Sequence, residues 1–224
     1  MIYEVRSGLR AFQWTVTFRH RLQMEKKMNR ERWDRVFSPG ELVPEEVLRE
    51  RLGRCGAGVK VFTGARLVGA ERIFIGERSQ IDEGVRVFAG EGVEIGRYVH
   101  LAFGASISGG GRCEIGDFAS IAAGVKLITG SDVADGSGLT NPTVPPEMRA
   151  VRRGVVRIGA HAVVFTGAVV LPGVTVGEGA VVSAAGVVHR DLKPWGIYAG
   201  TPLVQIGSRE KDEVLRRGEI VDRG

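Results

Sequence analysis

Aliphatic residues recur at every sixth position through the middle of the chain: Val61 and Leu67; Ile75, Ile81 and Val87; Ile95, Leu101 and Ile107; Ile115, Ile121 and Leu127. Cys55 fills the first place of the first triplet, and each triplet returns after 20 residues, so two extra residues enter at one point of every round. A second series, Ile158, Val164, Val170, Val176, Val182 and Val188, runs without insertion at 18 residues per round. Four residues after most of these aliphatics stands a small or β-branched side chain, as at Val59, Ala65, Ser79, Val85, Val99, Ala105, Ala119 and Val125. A six-residue step drifts around a helix of about 3.6 residues per turn and buries no continuous stripe. Short strands joined by turns accommodate it. The glycines nearby (Gly76, Gly96, Gly116 and Gly159; Gly58, Gly64, Gly84, Gly104, Gly167, Gly173 and Gly179) are expected to supply the turn conformations. Three strands then close one triangular round, and stacked rounds pair their backbones into parallel sheets around an aliphatic axis. The expected fold is all-β: a parallel β-helix over 55–202 with a loop protruding at 128–157. A basic, mainly helical extension precedes it at 1–54 and a short helical tail follows at 203–224.

Composition agrees with a repeat, since 33 glycines beside 7% aromatic residues suit a chain that turns often. The net charge of +5 would suggest nucleic acid only if the cations shared one folded surface. Instead residues 1–37 hold nine Lys or Arg against four acids, and the remainder is close to neutral. A nucleic-acid partner is therefore not expected. No uncharged run approaches the roughly 18 apolar residues of a membrane span, and the first residues carry charges where a signal peptide has an apolar core. An integral membrane segment is not expected, and the cytoplasm is the expected compartment. Cys55 and Cys113 lack metal-ligand spacing and read as reduced, packed thiols.

The runs IGRYVH, IGDFAS, VGEGAV and VLPGVTVGEGAVV resemble the hexapeptide repeat of the left-handed β-helix acyltransferases. Asp191–Pro202, DLKPWGIYAGTP, is similar to the segment that closes the helix in the galactoside and sugar O-acetyltransferase branch. Leu139–Glu147, LTNPTVPPE, and the phrase RYVHLAFGAS are similar to relatives acting on nucleotide-linked or polysaccharide-bound sugars. The resemblance implies a left-handed coil, acetyl-CoA as acyl donor, a sugar or nucleotide-sugar acceptor, no metal, and a homotrimer with sites at subunit boundaries.

Acyl transfer from a thioester to a hydroxyl needs a base, and histidine suits neutral pH. His100 projects from the outer side of its strand, and the resemblance implies it as that base because relatives carry a histidine in the same phrase. Tyr98, on the same coil, joins Asp132, Asp135 and Asn141 of the protruding loop as an expected sugar contact. The loop also carries Arg149, Arg152 and Arg153. His161 points outward from its coil toward the loop, and His20 lies in the basic segment. Position by position, the resemblance carries coenzyme A contacts to Ala184, His189 and Arg190, and a guanidinium suits phosphate. Backbone amides at Gly167 and Ala184–Ala185 are expected to bind the pantetheine arm. The reading is acetyl transfer to a sugar hydroxyl, with N-acetylation of a nucleotide-linked amino sugar and a non-catalytic scaffold as alternatives.

Overall fold

A computed structural model describes residues 40–223. The basic residues at 1–37 and His20 lie outside the described residues. From Glu41 onward the chain forms one compact unit.

That unit is a parallel β-solenoid. Three flat faces rise together, each built from one short strand per coil. The first face runs through Arg54–Cys55, Ile73–Ile75, Gly92–Ile95, Arg112–Ile115, Val156–Ile158 and Thr175–Val176. The second begins at Lys60–Val61 and passes through His100–Leu101 to Val181–Val182 and Gly196–Ala199. The third begins at Arg66–Val68 and ends at Val187–Val188. Register is strict, so Ile75 lies under Ile95, Leu101 under Ile121, and Val87 under Ile107.

Both sequence periods point inward. The six-step aliphatics after Leu67 are buried, and so are most of the small residues that follow them, including Ala105, Ala119, Ala162, Ala168 and Ala180. Large side chains from the faces meet small ones from the corners along a narrow axis. Ser79 is the polar member of the small set. Its buried hydroxyl donates to the Gly96 carbonyl at 2.7 Å and accepts from the Val99 amide at 2.9 Å, so it carries no unpaired group inside.

The glycines divide into two groups with different causes. Gly84, Gly104 and Gly167 at the corner between second and third faces do take left-handed φ of 75°, 69° and 70°. Gly76, Gly116 and Gly159, after the first face, do not. A Cβ on Gly116 would lie 2.5 Å from the Ala160 amide of the next coil, and one on Gly76 equally close to the Gly96 carbonyl carbon. There the coils stack too closely for any side chain. The left-handed position at that corner is held by Gly58 and Gly179 in two coils and by Arg78, Tyr98, Phe118, His161 and Trp195 in the others, with φ of 55° to 67°.

The two extra residues per round enter where the third face returns to the first, at stretches containing Gly69, Gly90 and Gly109–Gly110 with positive φ. From this same corner of the fourth coil the long loop leaves. Its base is a two-stranded antiparallel ribbon, Gly130–Asp132 against Val151–Arg153.

A helix covers the first coil, and a further strand and helix follow the last. Helix α1, Glu45–Arg51, starts after Pro44 with acids in its first turn and arginines in its last, in keeping with the helix dipole. It joins Leu48, with Leu52 just beyond, to the core at the first coil. After the coils, Val204–Ser208 returns antiparallel to Gly196–Ala199, and helix α2, Lys211–Asp222, follows. No helix among the described residues is long and apolar enough to cross a membrane.

Candidate active site

His100 lies on the second face with its side chain outward and 45% exposed. In the ladder of that face it stands between Gln80 below and Ser120 above. Its Nε2 is 2.9 Å from Oδ2 of Asp82, and the other carboxylate oxygen accepts a 2.7 Å hydrogen bond from the Gln80 amide. A carboxylate only accepts, so in the neutral ring Nε2 carries the hydrogen and Nδ1 keeps its lone pair. Asp82 is the more enclosed partner, with a side chain 23% exposed. A histidine held in one orientation by a carboxylate that is itself held is the arrangement that makes an imidazole a directed base. Asp82 was not visible as a site residue in the six-step pattern. The 20-residue round contains the signal, because it places Gln80 directly beneath His100 and Asp82 two residues further on.

The loop residues have other partners. Asp132 accepts from Nε and Nη2 of Arg149 at 3.0 and 2.6 Å through one oxygen, and from the Asn141 amide at 3.2 Å through the other. These bonds hold its carboxyl below the usual aspartate range. Asp135 accepts from the Ser137 amide, and the Asn141 side-chain oxygen accepts from the Thr143 amide at 2.9 Å. All three therefore shape the loop with at least one of their oxygens. Asp132 and Asp135 also line a cleft of about 470 Å³ with Arg152, Leu171, Pro172 and His189. The loop and His189 thus meet at the corner between third and first faces. His100 stands on the remaining face, so one chain does not bring it to the loop.

Tyr98 is one ring of a column. Tyr98, Phe118 and His161 stack at 4.9 and 5.0 Å between centroids, within 4° of parallel, and Trp195 lies 6.4 Å beyond. Arg78 covers the far side of Tyr98 at 5.6 Å. His161 accordingly faces α2 and not the loop: a Cβ on the buried Gly218 would meet the imidazole at 2.9 Å. Arg97 ties the helix end to the coils through Asp117 and Asp222.

This packing has a pH signature. Burial lowers the His161 pKa from its ordinary 6.5; Arg209 pushes the same way, while Glu178, Asp117 and Asp222 pull it up. The unfolded chain then binds a proton that the folded chain resists. The contribution is complete above the unfolded value of about 6.5 and is lost as pH falls through the folded value. Hydrogen exchange across Lys211–Asp222, corrected for intrinsic rates, is expected to quicken between about pH 7 and pH 5 relative to the first coils. Protection in α2 that stays constant over that range would contradict the account.

The residues expected to hold coenzyme A fall in two places. Gly167, Ala184 and Ala185 lie at the corner between second and third faces, all exposed. Ala185 takes the same left-handed turn as Gly167, with φ 57°. Nothing lies within 4 Å of a Cβ on Gly124 or Gly167, so the corner offers a smooth lane that suits a pantetheine arm. Two of the expected donors are already engaged, however. The Gly167 amide donates to Ala123 at 3.0 Å and the Ala185 amide to Thr166 at 2.9 Å, as inter-coil stacking requires. Arg190 is exposed at the end of the third face, its Nη2 3.4 Å from the Leu203 carbonyl. Among the described residues no group of three or more His, Cys, Asp or Glu is placed to hold a metal ion.

No protein-family model matches the chain. It is 35% identical over 85 residues to a dTDP-4-amino-4,6-dideoxy-D-glucose acyltransferase of Escherichia coli, a match covering 38% of this chain and 44% of that protein. The chain thus spans less than half the length of this curated relative. A variant of AntD, an N-acyltransferase from Bacillus cereus solved with dTDP-4-amino-4,6-dideoxyglucose and coenzyme A, superposes with a TM-score of 0.78 at 27% identity. That alignment covers 84% of this chain and 100% of AntD. A maltose O-acetyltransferase from Clostridium difficile shares the fold, with a TM-score of 0.53 at 22% identity over 75% of each chain. In its six-residue repeat, its solenoid and these likenesses taken together, the chain is similar to the hexapeptide-repeat acyltransferases.

Proposed function

We propose that the protein is an acyl-CoA-dependent acyltransferase that acylates the amino group of a nucleotide-linked dideoxy amino sugar. The observation that carries this reading is the likeness to AntD over the whole of that N-acyltransferase. It replaces the sugar hydroxyl as first choice of acceptor. A hydroxyl remains the second reading, favoured by the His100–Asp82 pair, because an oxygen nucleophile needs a base more than a neutral amine does.

In this mechanism the thioester supplies the acyl carbon. His100 accepts the proton of the attacking amine at Nδ1, while Asp82 holds Nε2 and balances the imidazolium charge. His100 then returns that proton to the departing sulfur, so the products are the amide and the free thiol. Transfer is direct, with no acyl-enzyme. Ala184, Ala185, Gly167, His189 and Arg190 would line the donor, Arg190 toward phosphate. Asp135 and Asn141 would reach the acceptor, and Asp132 would hold their loop in shape. His100 and the loop stand at different sides of one chain, which supports a homotrimer in which the loop of one copy approaches the second face of the next. Cytoplasmic placement follows from intracellular acyl-CoA.

The test is thiol release. Acetyl-CoA mixed with the protein and dTDP-4-amino-4,6-dideoxyglucose is expected to liberate coenzyme A in step with amide formation, read by a thiol reagent and mass spectrometry. Release with the 4-hydroxy sugar nucleotide and none with the amine would transfer the assignment to oxygen.

A further inference from the structure

The outward ladders of the solenoid treat charge in two ways. On the first face cations and carboxylates alternate and pair: Arg112 reaches Glu94 at 2.6 Å and Glu114 at 2.7 Å, and Arg157 reaches Glu114 at 2.9 Å. On the third face Arg66 lies directly under Arg86, with Ser106 and then Lys126 above. All three cations are exposed, and none has a carboxylate within 4.0 Å among the described residues. Strands neighbour at about 4.8 Å, so two arginine side chains leave this face one strand apart with no carboxylate beside them. An arrangement that costs stability in the free protein suits a ligand with two adjacent negative charges.

What stands beside this pair identifies the ligand more closely. Asp82, Gly84 and Arg86 follow one another around the corner from second to third face. Phe103, 66% exposed, lies over the middle of that path, with its ring 3.2 Å from where a Cβ on Gly84 would stand. The Phe103 ring therefore stands at the corner between the strand that leads to Asp82 and the strand that carries Arg86. Four residues of chain reach at most about 14 Å, the scale of a hexose joined to a diphosphate. Glu83, on the same corner, lies over Gly64 and pairs with neither arginine.

We propose that this corner of the first three coils is the acceptor subsite: Arg66 and Arg86 hold the diphosphate, Phe103 carries the apolar face of the deoxy sugar, and the amine then lies at His100. The inference rests on the nucleotide-sugar reading and adds the residues that select it. An aromatic ring takes the C–H face of a deoxy sugar, and paired arginines take neighbouring phosphates.

Calorimetric titration of the full chain tests it with thymidine diphosphate, thymidine, the amino-sugar nucleotide and coenzyme A. The wild type is expected to bind thymidine diphosphate, and thymidine far more weakly. In the double variant Arg66→Gln, Arg86→Gln, affinity for thymidine diphosphate is expected to fall about 100-fold, with coenzyme A changed less than about twofold. Lys126→Gln removes one charge from the same face outside the subsite and is expected to cost less than about threefold. Phe103→Ala is expected to weaken the amino-sugar nucleotide about tenfold while leaving thymidine diphosphate alone. A double variant that folds, by circular dichroism, and still binds thymidine diphosphate as tightly as wild type would overturn the subsite and leave the function standing. Wild-type protein that binds coenzyme A but neither nucleotide would overturn both.

Discussion

Replacing His100 by alanine is expected to lower turnover about a thousandfold, within the range that positioned proton transfer supplies, while the coils stay intact. The side chain projects from the solenoid and contributes nothing to its core, so the thermal unfolding curve should not move. Asp82→Asn is expected to cost about 100-fold. An amide can turn its NH₂ toward Nε2, which moves the imidazole hydrogen to Nδ1 and removes the lone pair the amine needs. The pH dependence of His100→Ala separates the two acceptors. An amine that loses its own proton as pH rises should restore part of the rate, whereas a hydroxyl stays protonated across that range. Steady-state rates of thiol release over a pH series measure this. Turnover in His100→Ala equal to wild type at neutral pH would remove His100 as the base.

Gly116→Val is expected to destabilise the chain by about 3 kcal/mol, the upper part of the range for overpacking. Its new side chain has no space, because the Ala160 amide of the coil above already lies 2.5 Å from the Cβ position. Neither group can yield without parting the two coils. Gly124→Ala is the comparison. Its φ of 69° strains an alanine, but nothing lies within 4 Å of the added carbon. Only the left-handed cost remains, about 1 kcal/mol. Urea midpoints measured by circular dichroism should therefore rank wild type, Gly124→Ala and Gly116→Val in falling order. If the two variants unfold together, turn conformation alone explains the glycines, as the repeat first suggests.

The solenoid was readable because its cause is periodic. A core only one side chain wide on each face demands an aliphatic at fixed steps, and Ile75, Ile95 and Ile115 show the round in the numbers alone. The loop was readable for the complementary reason, since a stretch without the step cannot enter the coil. His100 could be placed on an outer face, one residue before the buried Leu101. Tyr98 could be placed on its coil, yet its 20-residue spacing from Arg78 and Phe118, which marks the stacked column, carries no weight until the rings are seen in contact.

What the linear order of residues settled is the coil, its three faces and which side chains point outward, because burial along a repeating strand depends on position alone. What required the folded molecule is how each polar atom is employed. Asp82 reaches His100 across 18 residues, Asp132 turns to Arg149, and the Gly167 and Ala185 amides pair with the preceding coil. Hydrogen bonds are directional and a few ångströms long, so partners brought together by stacking are chosen by geometry that no spacing rule contains.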